Sequence, residues 1–84
     1  MSSPFDQFLT SDLPKISDIA KQLEDYREMM ETGNISKYQY QQIAEDLLNY
    51  QNIVQISGEI EIQEKLKETF QILAQVVTAA ISLV

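Results

Sequence analysis

From Thr69 to Val84 the chain runs sixteen residues without a charged side chain, and this stretch limits the folds open to it. Set on a helix at about 100° per residue, Gln71, Gln75, Thr78 and Ser82 fall in one polar stripe about 60° wide. Leu66, Phe70, Ile72, Leu73, Val76, Val77, Ile81, Leu83 and Val84 fill an arc of about 180°. Ala74 and Ala79 flank the stripe, and Ala80 lies inside the arc. A surface helix of a globular protein needs an apolar face of only ~100° or more. This helix therefore needs cover over nearly twice that arc.

Three arrangements supply such cover. The helix can be the centre of a monomeric bundle with its polar stripe in water, an interface with another chain, or a membrane-inserted segment. The last is disfavoured: sixteen residues rise about 24 Å, short of the ~30 Å hydrocarbon core, and the polar stripe is neutral where an interfacial helix carries Lys or Arg. A contiguous apolar patch of several hundred Å² is unusual on a monomer. The interface reading is therefore the expected one, with Leu66, Phe70, Leu73, Val76, Val77, Ile81, Leu83 and Val84 as its candidate residues.

The rest of the chain sharpens that expectation. Eighty-four residues form a single domain, 1–84, and a domain of this size buries only about 60–65% of the surface its unfolded chain exposes. Apolar residues at 44% and charged residues at 23% are ordinary globular values. Small domains are often stapled by disulfides or metals. Here Cys and His are both absent, which removes disulfides, zinc knuckles, the thiolate nucleophile and the commonest general base. Oligomerisation is the staple that remains. Six basic against thirteen acidic residues give a net charge of −7, and no basic run offers a phosphate track, so nucleic acid is not an expected partner. The start Met-Ser-Ser-Pro-Phe-Asp lacks the basic and apolar regions of a signal peptide. The expected location is the cytoplasm or the inside of an assembled particle.

With two Gly and two Pro, the chain reads as all-α: a helical hairpin or three-helix bundle with a short N-terminal helix. Ser3 and Pro4 suit the N-cap and first position of a helix over about 4–10, with Phe5, Phe8 and Leu9 on one face. A helix over about 14–32 follows, its stripe formed by Ile16, Ile19, Ala20, Leu23, Tyr26 and Met30. Gly33 suits the left-handed position after its end. Ser36 and Gln39 form a capping box, with Ile35 and Tyr40 as a hydrophobic staple. The next helix is expected over about 36–57, burying Tyr40, Ile43, Ala44, Leu47, Tyr50 and Val54. With only Gly33, Asn34 and Ile35 between them, the two helices turn back antiparallel.

Residues 29–48 resemble the short helical hairpin called a SHOCT module. The resemblance rests on Gly33, Ile35-Ser36, the aromatic Tyr40, and Leu47-Leu48 seven and eight residues later. It departs at Tyr38, Gln39 and Ile43, where the family favours acidic and Lys positions. It implies a small helical unit of a kind associated with oligomerisation.

At Ser57-Gly58 the apolar stripe changes phase, and Glu59 and Glu61 favour a fresh helix start over about 59–84. A single helix running through Gly58 is the rival, since Ile53, Ile56 and Ile60 keep phase. Glu24, Asp25, Glu28 and Glu31 cluster on one helix, and Glu59, Glu61, Glu64 and Glu68 on the last. Without His the Glu-x-x-His pairs of a di-iron bundle cannot form, and no calcium loop is encoded. Glu24–Arg27–Glu31 and Glu61–Lys65 instead have the spacing of surface ion pairs. Of the tyrosines, Tyr38 lies off the apolar stripe and is the surface candidate, and Met29-Met30 reads as adaptable core filling. No phosphate loop, nucleophile elbow or nucleophile–base pair occurs, so neither an enzyme nor a cofactor is expected.

The sequence thus points to a small acidic helical protein that works through protein contact, as a homo-oligomer or docked on an assembly partner. A phage or viral structural or accessory protein would suit so short a Gln- and Ile-rich chain. An alternative is an acidic inhibitor or regulator that offers carboxylates to a basic protein site, as DNA mimics do.

Overall fold

The computed structural model describes residues 4–83. Ser3 and Val84, expected respectively to cap the first helix and to end the interface, lie outside the described residues. Five helices follow in order: α1 (Asp6–Leu9), α2 (Ile16–Glu31), α3 (Lys37–Leu47), α4 (Tyr50–Ile56) and α5 (Ile60–Ser82). No strand occurs among the described residues, and the molecule measures 39 × 25 × 17 Å.

α1 is shorter than expected. Pro4 lies in the preceding turn, and the helix starts at Asp6 with Phe5 as its cap residue. Phe5 is fully buried and Phe8 nearly so, so this one-turn element anchors two aromatic rings against α2. Leu9 stays on the surface. The chain then reaches α2 through Lys15, which caps it in the left-handed region at φ 65° without a side-chain hydrogen bond. Such a conformation costs a non-glycine residue roughly 1–2 kcal/mol.

α2 buries the expected stripe: Ile16, Ile19, Ala20, Leu23 and Met30 are covered, and Tyr26 is half-buried. Met29, its neighbour, faces out, so the methionine pair divides between core and surface. The helix ends in a doubly bonded turn. The Asn34 N–H donates to the Met29 carbonyl at 2.8 Å and the Gly33 N–H to the Met30 carbonyl at 3.1 Å, the pattern of a Schellman motif. Gly33 takes φ 83°, where a side chain would be strained. Three residues on, the Ser36 hydroxyl accepts from the Gln39 N–H at 3.0 Å while Gln39 Oε1 accepts from the Ser36 N–H at 2.8 Å. Ile35 and Tyr40 both join the core, as the staple requires.

The expected 36–57 helix is instead two helices. α3 stops at Leu47, and Asn49 begins α4 by accepting from the Gln51 N–H at 2.9 Å. Asn52 closes the gap from the other side: its amide donates to the carbonyls of Asp46 at 2.8 Å and Leu47 at 3.1 Å. Two Asn side chains thus satisfy helix-end groups that a continuous helix would have satisfied itself. The break resets the phase of the apolar stripe. Tyr50 and Val54, expected in the core, are 58% and 50% exposed, while Ile53 is 1% exposed and Ile56 half-buried.

A second break follows at Ser57-Gly58. Ser57 Oγ accepts from the Glu59 N–H, and the Gln63 amide reaches back to the Ser57 carbonyl at 2.7 Å. α5 then runs 23 residues and packs on α2, α3 and α4. The core where the helices meet holds Ile16, Leu23, Tyr40, Ile53, Leu66 and Leu73, each at most 1% exposed. Burying one such side chain contributes about 1.5–3 kcal/mol relative to leaving it in water.

Candidate interaction site

Among the described residues, α5 and its C-cap Leu83 carry the candidate interface residues, and the fold distributes them unequally. Leu66, Phe70, Leu73 and Val77 are at most 4% exposed and belong to the chain's own core. They are therefore closed to a partner. The periodicity located them correctly as an apolar face, but the short α4 brings α5 back against the α2–α3 hairpin, and that hairpin covers them. Val76 and Ile81 are half-buried at the edges of this face, and Leu83 is 87% exposed. Ile72, not counted among the interface residues, is 46% exposed.

The uncovered apolar surface of α5 lies along both borders of its buried face. On one border, α5 and α3 enclose an open groove of about 390 Å³ whose apolar wall includes Ala44, Leu48, Ala74, Val77 and Ile81. On the other, Ile72, Val76, Ala79 and Leu83 follow one another at intervals of four, three and four residues. That spacing sets all four within about 60° of one another, a narrow seam of heptad type. Extended toward the N-terminus by the same rule, the seam takes in Thr69, which is half-buried, and Lys65, which is exposed. From Thr69 to Leu83 it carries no charge.

The carboxylates behave differently on the two helices. On α2, Arg27 Nη2 pairs with Glu24 at 2.5 Å and Nη1 with Glu31 at 2.5 Å, and the Arg27 and Glu24 side chains are each only 15% exposed. The hydrogen bond to Glu24 is the main cause holding the Arg27 guanidinium even more firmly protonated than usual, with burial opposing it. This cluster lies near Tyr40, which is fully buried and whose hydroxyl donates to the Leu23 carbonyl at 3.1 Å. Burial pushes the Tyr40 phenol well above its ordinary value, and Arg27 partly offsets the shift. On α5, Glu59, Glu61, Glu64 and Glu68 all face solvent. Glu61 and Lys65 have the spacing of a pair but do not close one, so Lys65 is unpaired.

Among the described residues no three acidic side chains converge to hold a metal ion, and no helix is long and apolar enough to cross a membrane. A second hollow of about 420 Å³, between the start of α2 and α4, has Lys15, Asp18, Gln22, Asn52 and Gln55 on its walls. No family model, curated protein or solved structure matches the chain.

The seam is hidden in the sequence because Ile72, Val76 and Leu83 share one broad arc with the core residues while Ala79 flanks the polar stripe. Only once the buried face is known does the remainder separate out. The spacing alone, read as 4-3-4, was the signal that could have found it.

Proposed function

We propose that this chain is a non-enzymatic interaction protein that docks another protein chain on the exposed seam of α5, as part of a larger assembly. The observation that carries the reading is that seam: four apolar residues at heptad spacing, uncharged, on a molecule whose charge elsewhere is dense and negative. The resemblance of residues 29–48 to an oligomerisation-associated hairpin supports it. In this reading α1 to α4 form the scaffold. They cover the core side of α5 and leave its seam to the partner.

The test is substitution on the seam. Cutting the chain after Phe70 would also remove the buried Leu73, Val77 and Ala80, so it would unfold the scaffold together with the site. Ala79→Glu is better placed, since Ala79 is already in water. The expected outcome is an unchanged circular dichroism spectrum with loss of the chains that co-purify with the native protein. A folded Ala79→Glu protein that retains all of them would overturn the reading.

A second reading has one observation in its favour. Glu59, Glu61, Glu64 and Glu68 are all exposed and could face a basic protein surface. The other acidic cluster serves it less well, because Arg27 already holds Glu24 and Glu31. Binding to a cationic partner that falls steeply with salt, and that survives Ala79→Glu, would favour this reading over the seam.

A further inference from the structure

Apart from the seam, we infer that the groove between α3 and α5 is a docking site of its own. Its occupant is a helix of a different protein, with apolar side chains one turn apart and a Lys or Arg beside them. The groove shares no residue with the seam, so the two sites stand or fall separately. Its volume of about 390 Å³ is that of a binding cleft. It runs from Gln41 to Leu48 on α3 and from Ala74 to Ser82 on α5, about 10–12 Å at 1.5 Å per residue. Ala44 and Ala74, small residues on either side, leave the room. Two turns of wall match the anchors that a docked helix presents at i and i+4.

The rim specifies the chemistry. Its polar residues are Gln41, Glu45, Thr78 and Ser82. The Thr78 hydroxyl donates to the Ala74 carbonyl and the Ser82 hydroxyl to the Thr78 carbonyl, each at 3.0 Å. Both hydroxyl hydrogens are thus spent within α5, and the oxygens remain as acceptors. Gln41 turns its amide toward Glu45 at 3.5 Å and keeps one further N–H. Glu45 only accepts, carries the one charge on the groove wall, and pairs with no cation among the described residues. Lys37, one turn before Gln41, is not on the wall and has an interaction of its own. Acceptors gathered around a carboxylate favour a donor-rich cation, which among side chains means Lys or Arg.

An exposed ion pair contributes at most about 1 kcal/mol, so apolar contact has to supply most of the affinity. A small amine in so open a groove leaves much of its surface in water. A helix lying along the groove covers the apolar wall and delivers its cation to Glu45 together. This chain is a poor source of such a helix. It has six basic residues against thirteen acidic ones, and Arg27 is already held by Glu24 and Glu31. The neutral polar stripe of α5 thereby gains a use, since Thr78 and Ser82 form one edge of the site.

The experiment titrates the full chain, labelled with nitrogen-15, with two synthetic helices of about 18 residues. Both carry Leu at i and i+4, flanked by Lys in one and by Glu in the other. The Lys peptide is expected to shift the amide signals of Ala44, Glu45, Val77 and Thr78, and the Glu peptide to bind at least roughly tenfold more weakly. Ala74 is exposed, so Ala74→Phe fills the groove from outside the core and is expected to abolish the shifts with unchanged circular dichroism. Glu45→Gln should weaken the Lys peptide about three- to fivefold. Glu64→Gln, at an exposed carboxylate off the groove wall, and Ala79→Glu on the seam should leave it unchanged. Equal losses from Glu45→Gln and Glu64→Gln would overturn Glu45 as the recognition group. Undiminished binding to Ala74→Phe would overturn the groove, and loss on Ala79→Glu would move the site to the seam. Hexylammonium alone giving the same Glu45-dependent shifts would replace the helix with a small amine. Groove shifts that grow with chain concentration in the absence of peptide would replace it with a second copy.

Discussion

Two connections join the long helices of this chain, and they are closed by different means. Between α2 and α3 the closure is built around a main-chain turn: Gly33 and Asn34 return their N–H groups to Met30 and Met29, and the side chains of Ser36 and Gln39 cap α3 reciprocally. Between α3 and α5 it is largely side chain: Asn49, Asn52, Ser57 and Gln63 each satisfy one or two helix-end groups. The first turn centres on one backbone geometry with a positive φ at Gly33, and the Thr32 hydroxyl, which donates to the Glu28 and Met29 carbonyls, supports it. The second is longer and modular. Losing any one of its amides leaves the others in place. A backbone-closed turn concentrates its sensitivity, whereas a side-chain-closed one spreads it.

Substitutions can break or sharpen this contrast. The largest effect is expected at Tyr40, which ties the backbone-closed hairpin together through the Leu23 carbonyl. Tyr40→Ala should lower unfolding free energy by about 3–5 kcal/mol in urea titration, through a cavity and a lost hydrogen bond. Tyr40→Phe should cost about 1 kcal/mol and also change the alkaline limb. Burial raises the folded phenol above its ordinary value of about 10. Its contribution is thus complete below the unfolded value and is lost as pH climbs from there toward the raised folded value. Native protein should lose stability above about pH 10 more steeply than Tyr40→Phe.

Next in size is Gly33→Ala, where a Cβ meets no atom within 4 Å but the backbone sits at φ 83°. The expected loss is about 1–2 kcal/mol, all of it conformational. Ser36→Ala should follow at about 1 kcal/mol, since it opens the capping box. Asn49→Ala should cost less, about 0.5 kcal/mol, because Asn52 still holds the end of α3. If Asn49→Ala proved the costlier of the two, the contrast between the connections would fail. An effect of similar size has the opposite sign. Gly58 also leaves open space for a Cβ and has no positive φ, so Gly58→Ala should stabilise by about 0.4–1 kcal/mol in thermal melts.

The same contrast explains how much the sequence disclosed. Gly33, Ser36 and Gln39 are strong local signals because few residue types fit those backbone positions, and all three stand where their chemistry places them. The α3–α4 break was hidden because Leu47-Leu48-Asn49-Tyr50 contains neither Gly nor Pro. Asn is tolerated inside helices, and only its partner Asn52, three residues on, makes the break cohere. Missing that break also misplaced Tyr50 and Val54. Lys15 gave no signal at all, since nothing in a lysine side chain favours φ 65°. For α5 the apolar arc was legible, but its division into a core face and a seam depends on where α2, α3 and α4 settle, which is information no single helix carries.

The order in which the helices touch has a kinetic consequence. α1 packs on α2, α2 on α3, and α4 on α5, so much of the structure can form between neighbours in the chain. We expect folding in the microsecond-to-millisecond range of local-contact helical proteins, with the hairpin closed at Gly33 ahead of the docking of α5. Until α5 docks, Leu66, Phe70, Leu73 and Val77 remain in water beside the seam. Stopped-flow measurements should show substitutions at Ser36 slowing refolding and substitutions at Val77 mainly speeding unfolding. During that interval a nascent chain presents the full uncovered arc of its last helix to its neighbours. Rapid closure of the hairpin is then what limits its exposure to aggregation.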